Sequence, residues 1–175
     1  MPPSDPRHPD RFDETTLAAA ISARLGGGRA ANGTTPPPAP AKAVIWVDRG
    51  DEVLVHLDSV RVKIADRLLL ISVDLETDQT GRTPLIAAYA LGDDKDPAGL
   101  VAVTDELPHG NGVLASRWGQ ILRDALWASV LAIATDRAEV ARPGAIGLSA
   151  KAGSLRLHTG TTPIRLPVNV GGVVK

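Results

Sequence analysis

Apolar and polar positions change their spacing along the chain, and each spacing predicts a different element. Toward the C-terminal third, residues 113–140 have a helical pattern in which Arg117, Arg123 and Asp124 precede an uncharged stretch, residues 125–135. A helix that is apolar on every side must be buried on every side. The uncharged stretch is too short to cross a bilayer, which needs roughly 20 residues, so we expect protein to bury this helix.

The first half of the domain alternates with a period of two, which predicts strands. Residues 43–48 are apolar at nearly every position, as in a strand that is covered on both faces, so we expect this strand at the centre of a sheet. The short polar links between the runs imply antiparallel hairpins. Further strands are predicted at 53–57, 60–64, 69–75, 85–91, 100–103 and 154–158.

A second, shorter helix is predicted near the N-terminus. Asp13 is a suitable N-cap, Gly26 a suitable C-terminal stop, and Leu17, Ile21 and Leu25 recur every fourth residue on one face. At about thirteen residues such a helix is marginal alone, so we expect it to dock on its own domain or on a neighbour.

Strands followed by one long helix predict an α+β fold, an antiparallel meander packed on the long helix at 113–140.

Composition divides the chain into five parts. Directly after the short helix, residues 26–41 include a glycine run and four prolines, typical of a flexible linker that becomes stiff. Alternation at Ile164, Leu166, Val168 and Val170 predicts an extended tail that either returns to the edge of its own sheet or adds a strand to another subunit. The predicted parts are a flexible arm (1–12), a short amphipathic helix (13–25), a Gly/Pro linker (26–42), an α+β domain (43–160) and an extended tail (161–175).

Composition also narrows the classes of function. The chain has no cysteine, which excludes disulfides, thiolate nucleophiles and cysteine-ligated zinc. Its aromatic content is 3%, so platforms for stacking bases are scarce and we expect no nucleic-acid partner. With neither a signal-peptide pattern nor a membrane-spanning run, a cytoplasmic protein with no membrane partner is expected.

Charge is distributed unevenly although the net charge is −1. Between Asp48 and Glu106 there are thirteen acidic residues and six basic ones, whereas from Arg137 onward there are six basic residues and Glu139 as the sole acidic one. Such asymmetry suits contact between complementary surfaces, and solvated surfaces produce it as well.

One group of residues suggests chemistry. Asp74, Glu76 and Asp78 alternate, so a strand would place their carboxylates on one face, where Mg²⁺ or Ca²⁺ accepts oxygen ligands. His56, two residues from Asp58, is a candidate general base. No nucleophile elbow, HExxH or phosphate-loop motif accompanies them. We therefore interpret the acidic stretch as a solvated strand end, and we expect no catalytic residue, metal or cofactor.

The long helix carries the main functional expectation. Trp118 and Trp127 are nine residues apart, about 180° around a helix, so one side can meet the sheet while the other needs a second covering. That covering is either the loops and tail of the same monomer or another subunit. The residues predicted to bind partners are Leu17, Ile21, Leu25, Trp118, Trp127, Leu131, Leu166 and Val168.

These patterns favour a non-enzymatic structural or assembly subunit of a larger oligomeric complex, of the phage-like particle, tail or scaffold type. The expected partners are further copies of the chain or the other subunits of that complex. The alternative is a small-molecule-binding domain or a metal-assisted enzyme that uses the edge formed by Asp74, Glu76 and Asp78 together with His56.

Overall fold

The computed structural model describes residues 10–26, 42–97, 106–141 and 145–159, and the α+β class is confirmed. Its elements form two antiparallel sheets and two helices. The predicted strand at 100–103 and the tail lie outside the described residues. In chain order the elements are β1 (Arg11–Asp13), α1 (Glu14–Leu25), β2 (Ala43–Asp48), β3 (Asp51–Ala65), β4 (Leu68–Thr77), β5 (Gly81–Ala90), β6 (His109–Gly110), α2 (Gly112–Ala141), β7 (Ala145–Lys151) and β8 (Ser154–Thr159).

The larger sheet is the predicted meander, with strand order β2-β3-β4-β5-β6. The β2–β3 hairpin turns through Arg49 and Gly50, which both have positive φ (52° and 86°). Two such residues define a two-residue turn whose twist matches that of the flanking strands. Asp48 and Asp51 therefore close the hairpin as a directly opposed pair.

The runs predicted as separate strands at 53–57 and 60–64 form one strand, β3, interrupted by a bulge between His56 and Arg61. Ser59 bridges the interruption: its Oγ donates to the carbonyl of His56 at 2.6 Å and accepts from the amide of Asp74 at 2.7 Å. The side chain thus replaces ladder bonds that the extra residues remove.

Both helices pack on one face of this sheet. Leu17 and Ile21 of α1 are buried, Asp13 caps the helix by accepting from the amide of Thr16 at 2.7 Å, and Ser22 donates to the carbonyl of Leu57 on β3 at 2.8 Å. The short helix is thus docked on its own chain, as its length requires.

The long helix α2 starts at a side-chain cap, because Oδ1 of Asn111 accepts from the amides of Val113 and Leu114. Trp127 stacks on Tyr89 of β5 with ring centroids 5.2 Å apart. Trp118, on the other side of the helix, is also buried. Both indoles are therefore covered within one chain.

The smaller sheet, with strand order β1-β8-β7, was not predicted apart from β8. It contributes Phe12, Leu148, Leu155 and Leu157 to the core. The amide of Gly153, in its β7–β8 turn, donates to the carbonyl of Ile64 at 2.8 Å and so joins the hairpin to the end of β3. β1 includes residues 11 and 12, which the sequence had suggested belong to the arm; three residues are too few to show an alternation.

The structure does not place the 43–48 strand at the centre of a sheet formed by the described residues, which differs from the prediction. Among the described residues β2 is an edge strand, paired on one side only with β3. Ile45 and Val47 are 62% and 65% exposed, whereas Val44 and Trp46 pack partly buried against the core. An apolar run shows that both faces of a strand are apolar, but it does not show that the same chain covers both.

Candidate functional site: the open face of the sheet

The face of the larger sheet that points away from the helices is left open by the described residues. Inward side chains of β3, β4 and β5 are buried, and their outward neighbours are half-buried or exposed. We call the outward side the open face. Its larger apolar members are Ile45, Val47, Leu54, Leu68, Leu70, Pro84 and Ile86.

Three of these residues form a continuous apolar surface at the β2 side. Ile45 lies directly opposite Leu54 in the β2–β3 register, and Val47 lies two residues further along β2 on the same face. We call Ile45, Val47 and Leu54 the edge patch. Antiparallel sheets with one solvated face usually carry polar residues there. An exposed apolar surface on an edge strand is typical of an interaction site.

The centre of the open face is polar and internally paired. Nε2 of His56 lies 2.6 Å from Oε2 of Glu76, and Nε of Arg82 donates to Oδ2 of Asp74 at 2.7 Å. Arg82 also reaches Asp58 at 3.4 Å. These bonds, with Asp74 contributing most, raise the pKa of Arg82 above its usual value. Hydrogen bonds therefore connect these side chains across neighbouring strands.

Two of the three carboxylates that were predicted to share one face, those of Asp74 and Glu76, take part in these hydrogen bonds. Asp74 and Glu76 share the open face, whereas Asp78 lies in the turn after β4 ends at Thr77. Within the described ranges no three His, Asp or Glu side chains converge in a way that could hold a metal ion. Asp74 is engaged by Arg82, and Glu76 by His56.

The backbone of β2 alternates in the direction of its hydrogen-bonding groups. The amide of Leu57 donates to the carbonyl of Lys42 at 2.8 Å, which fixes Lys42 as a residue that faces β3. In an antiparallel ladder such pairs alternate, so Val44 and Trp46 also direct their amides and carbonyls toward β3. The amides and carbonyls of Ala43, Ile45 and Val47 therefore point outward, where β2 has no partner strand among the described residues.

An arginine from α2 holds the end of this strand. Arg117 donates from Nε to Asp51 at 2.8 Å and from Nη1 to Asp48 at 2.8 Å, and Nη2 also donates to the carbonyl of Asp48. Its guanidinium carbon lies 4.6 Å from the ring centroid of Trp118. These hydrogen bonds, to Asp51 first and Asp48 second, raise the pKa of Arg117. The β2–β3 turn is thus fixed to the helix layer.

A second polar cluster, which the sequence did not suggest, joins the smaller sheet to the loop after β5. Oγ of Ser149 donates to Oδ1 of Asp94 at 2.7 Å and lies 2.8 Å from Nε2 of His158. A hydroxyl has one proton, so Nε2 of His158 must carry the hydrogen of the second bond. Ser149 itself is buried. The cluster thus ties the loop after β5 to the smaller sheet.

The residues predicted to bind partners lie mainly inside the chain. Leu17, Ile21, Trp118 and Trp127 are buried in the core, and Leu25 and Leu131 are partly buried against it. Leu166 and Val168 lie outside the described residues. Partner binding by these eight residues stays a prediction. The sequence pattern does not reveal the edge patch, because an apolar run such as residues 43–48 is also expected of a strand at the centre of a sheet.

Comparison with known proteins adds no function: no protein-family model matches the chain, and no curated protein or solved structure matches it either. Within the described ranges, no helix has the combined length and apolar character to cross a membrane.

Proposed function

We propose that this chain is a non-enzymatic assembly subunit that binds other protein chains through the β2 edge and the edge patch. The observation that carries the proposal is that β2 is apolar on both faces yet lies at the edge of the sheet formed by the described residues, with Ile45 and Val47 more than half exposed. Natural proteins usually protect such edges with charged residues, prolines or bulges. Ala43, Ile45 and Val47 supply none of these.

The energetics of burial support association. Covering a valine or isoleucine side chain completely stabilises a complex by about 1.5 to 3 kcal/mol before the costs of association. Ile45 and Val47 are 62% and 65% exposed, so roughly two thirds of the surface of each residue is still available for burial by a partner. The hydrogen bonds from Arg117 to Asp48 and Asp51 hold the end of β2 in place before a partner binds. This order lowers the conformational entropy that is lost on binding.

The enzymatic alternative has less support from the geometry. General acid-base catalysis needs a titratable group that is aimed at a substrate position. His56 is instead bonded to Glu76, and Asp74 to Arg82, on an open sheet surface.

The mass of the protein in solution tests the proposal. We expect sedimentation equilibrium at tens of micromolar to give a mass above the 18.2 kDa of one chain and to rise with concentration. Val47→Lys, which introduces a charge into the edge patch, should shift the distribution toward monomer.

Ile86→Lys is the matched control. Ile86 is an apolar residue on the open face and is 39% exposed, but it lies on β5, away from the β2 edge. The variant should leave the mass distribution unchanged. A wild-type protein that stays at 18.2 kDa over the whole range contradicts the proposal.

A further inference from the structure

We infer that the partner at the β2 edge is a second copy of this chain, with the two β2 strands antiparallel and Ile45 opposite Ile45 of the other copy. This inference rests on the proposed assembly function and specifies its partner and register. The two five-stranded sheets would then form one continuous sheet across a two-fold axis, a self-complementary arrangement typical of dimers.

The backbone selects this register. Only outward-facing residues can exchange hydrogen bonds with a new strand, and on β2 these are Ala43, Ile45 and Val47. With Ile45 opposite itself, Ala43 faces Val47 of the other copy, so every outward amide and carbonyl of the strand is bonded. Moving the register by two residues in either direction leaves at least one of these three residues beyond the end of the partner's β2.

The side chains agree with the same register. On the open face, Ile45 meets Ile45 and Val47 meets Ala43 of the other copy, so the edge patches join into one apolar surface. At the ends of the strand, Lys42 lies opposite Asp48 of the other copy. Opposite charges in directly facing cross-strand positions are stabilising, and like charges are destabilising. No like charges face each other between positions 42 and 48.

The size of the interface sets the expected strength. A six-residue edge with two exposed apolar side chains belongs to the small class of interfaces, below about 1,200 Å² in total, which are weak or transient. The dimer should therefore form in a concentration-dependent manner and dissociate on dilution.

Cysteine cross-linking tests the register directly, because the wild-type chain has no cysteine. In the proposed pairing the two Cα atoms of residue 45 are about 5.5 Å apart. This separation is within the range of about 4.4 to 6.8 Å that a disulfide spans. Ile45→Cys should therefore convert most of the protein to a covalent dimer under mild oxidation. Because residue 45 is exposed, the substitution leaves the core intact.

Two single-cysteine controls make the result specific. The Cα atoms of residue 47 in the two copies would be more than about 13 Å apart, so Val47→Cys should not cross-link efficiently. Ile86→Cys, on β5, measures cross-linking by random collision. The double variant Ala43→Cys with Val47→Cys should again give a covalent dimer, because these positions face each other.

The outcomes separate this inference from the proposed function. An oligomeric mass combined with Ile45→Cys cross-linking no faster than Ile86→Cys overturns the β2 pairing and leaves assembly through another surface. Faster cross-linking of Val47→Cys than of Ile45→Cys overturns the register. A wild-type protein that remains monomeric contradicts both the inference and the proposed function.

Discussion

Replacing Trp127 by alanine should remove a large part of the stability of the fold. Trp127 lies in the uncharged half of α2, is 8% exposed, and stacks on Tyr89 at 5.2 Å between centroids. Emptying a large aromatic site in a core costs about 3 to 5 kcal/mol, since apolar transfer energy is lost and a cavity remains. The stacked ring pair accounts for about 0.5 to 1.5 kcal/mol of interaction beyond buried area. The total free energy of unfolding of a domain is only about 5 to 15 kcal/mol.

Urea denaturation followed by far-ultraviolet circular dichroism measures this loss without depending on tryptophan fluorescence. Gln120→Ala is the matched control, because Gln120 is exposed on the same helix and its truncation should change the free energy of unfolding by less than about 0.5 kcal/mol. Near-equal small losses in the two variants would refute the conclusion that α2 is buried through Trp127. A large loss confined to Trp127→Ala is the expected result.

Two further predictions concern polar groups. Ser59→Ala should lower the free energy of unfolding by about 1 to 3 kcal/mol in urea denaturation, because it leaves the partly buried amide of Asp74 without the acceptor that bridges the β3 bulge. Ser116→Ala, at an exposed position of α2, is the control and should change the free energy of unfolding very little. Equal losses in the two variants would contradict the bridging role of Ser59. Burial is the main cause that lowers the pKa of His158, so on acidification the unfolded chain takes up this proton first. The stability that neutral His158 contributes is fully present above a pH of about 6.5, the pKa of this residue in the unfolded chain. That stability is lost as the pH falls below this value. Between pH about 7.5 and about 5.5 the Tm of wild type should therefore fall more steeply than that of His158→Gln, and parallel slopes would contradict this.

Local patterns predicted the elements with the strongest periodicity. The cap at Asp13 and the strands from β3 to β5 follow from side-chain spacing and cap chemistry that act within a few residues. Short elements were missed for a physical reason. β1 has three residues, and β7 contains Gly147 and small side chains, so neither shows an alternation long enough to recognise.

The candidate site depended on information that is not local. The pairing of His56 with Glu76 joins residues 20 positions apart, and it arises from the register of β3 against β4. The apolar run of β2 was recognised, but its position at the sheet edge follows from strand order, which the sequence pattern does not encode. The exposure of Ile45 and Val47 on that strand is the main support for association.

Amide hydrogen exchange along β2 tests association through this edge most directly. The amides of Val44 and Trp46 point toward β3 and should be protected at every protein concentration. Those of Ile45 and Val47 point outward, so their protection should rise with concentration as the second copy binds. Exchange of Ile45 and Val47 at the rate of free amides under conditions where the protein is oligomeric would contradict pairing at the β2 edge.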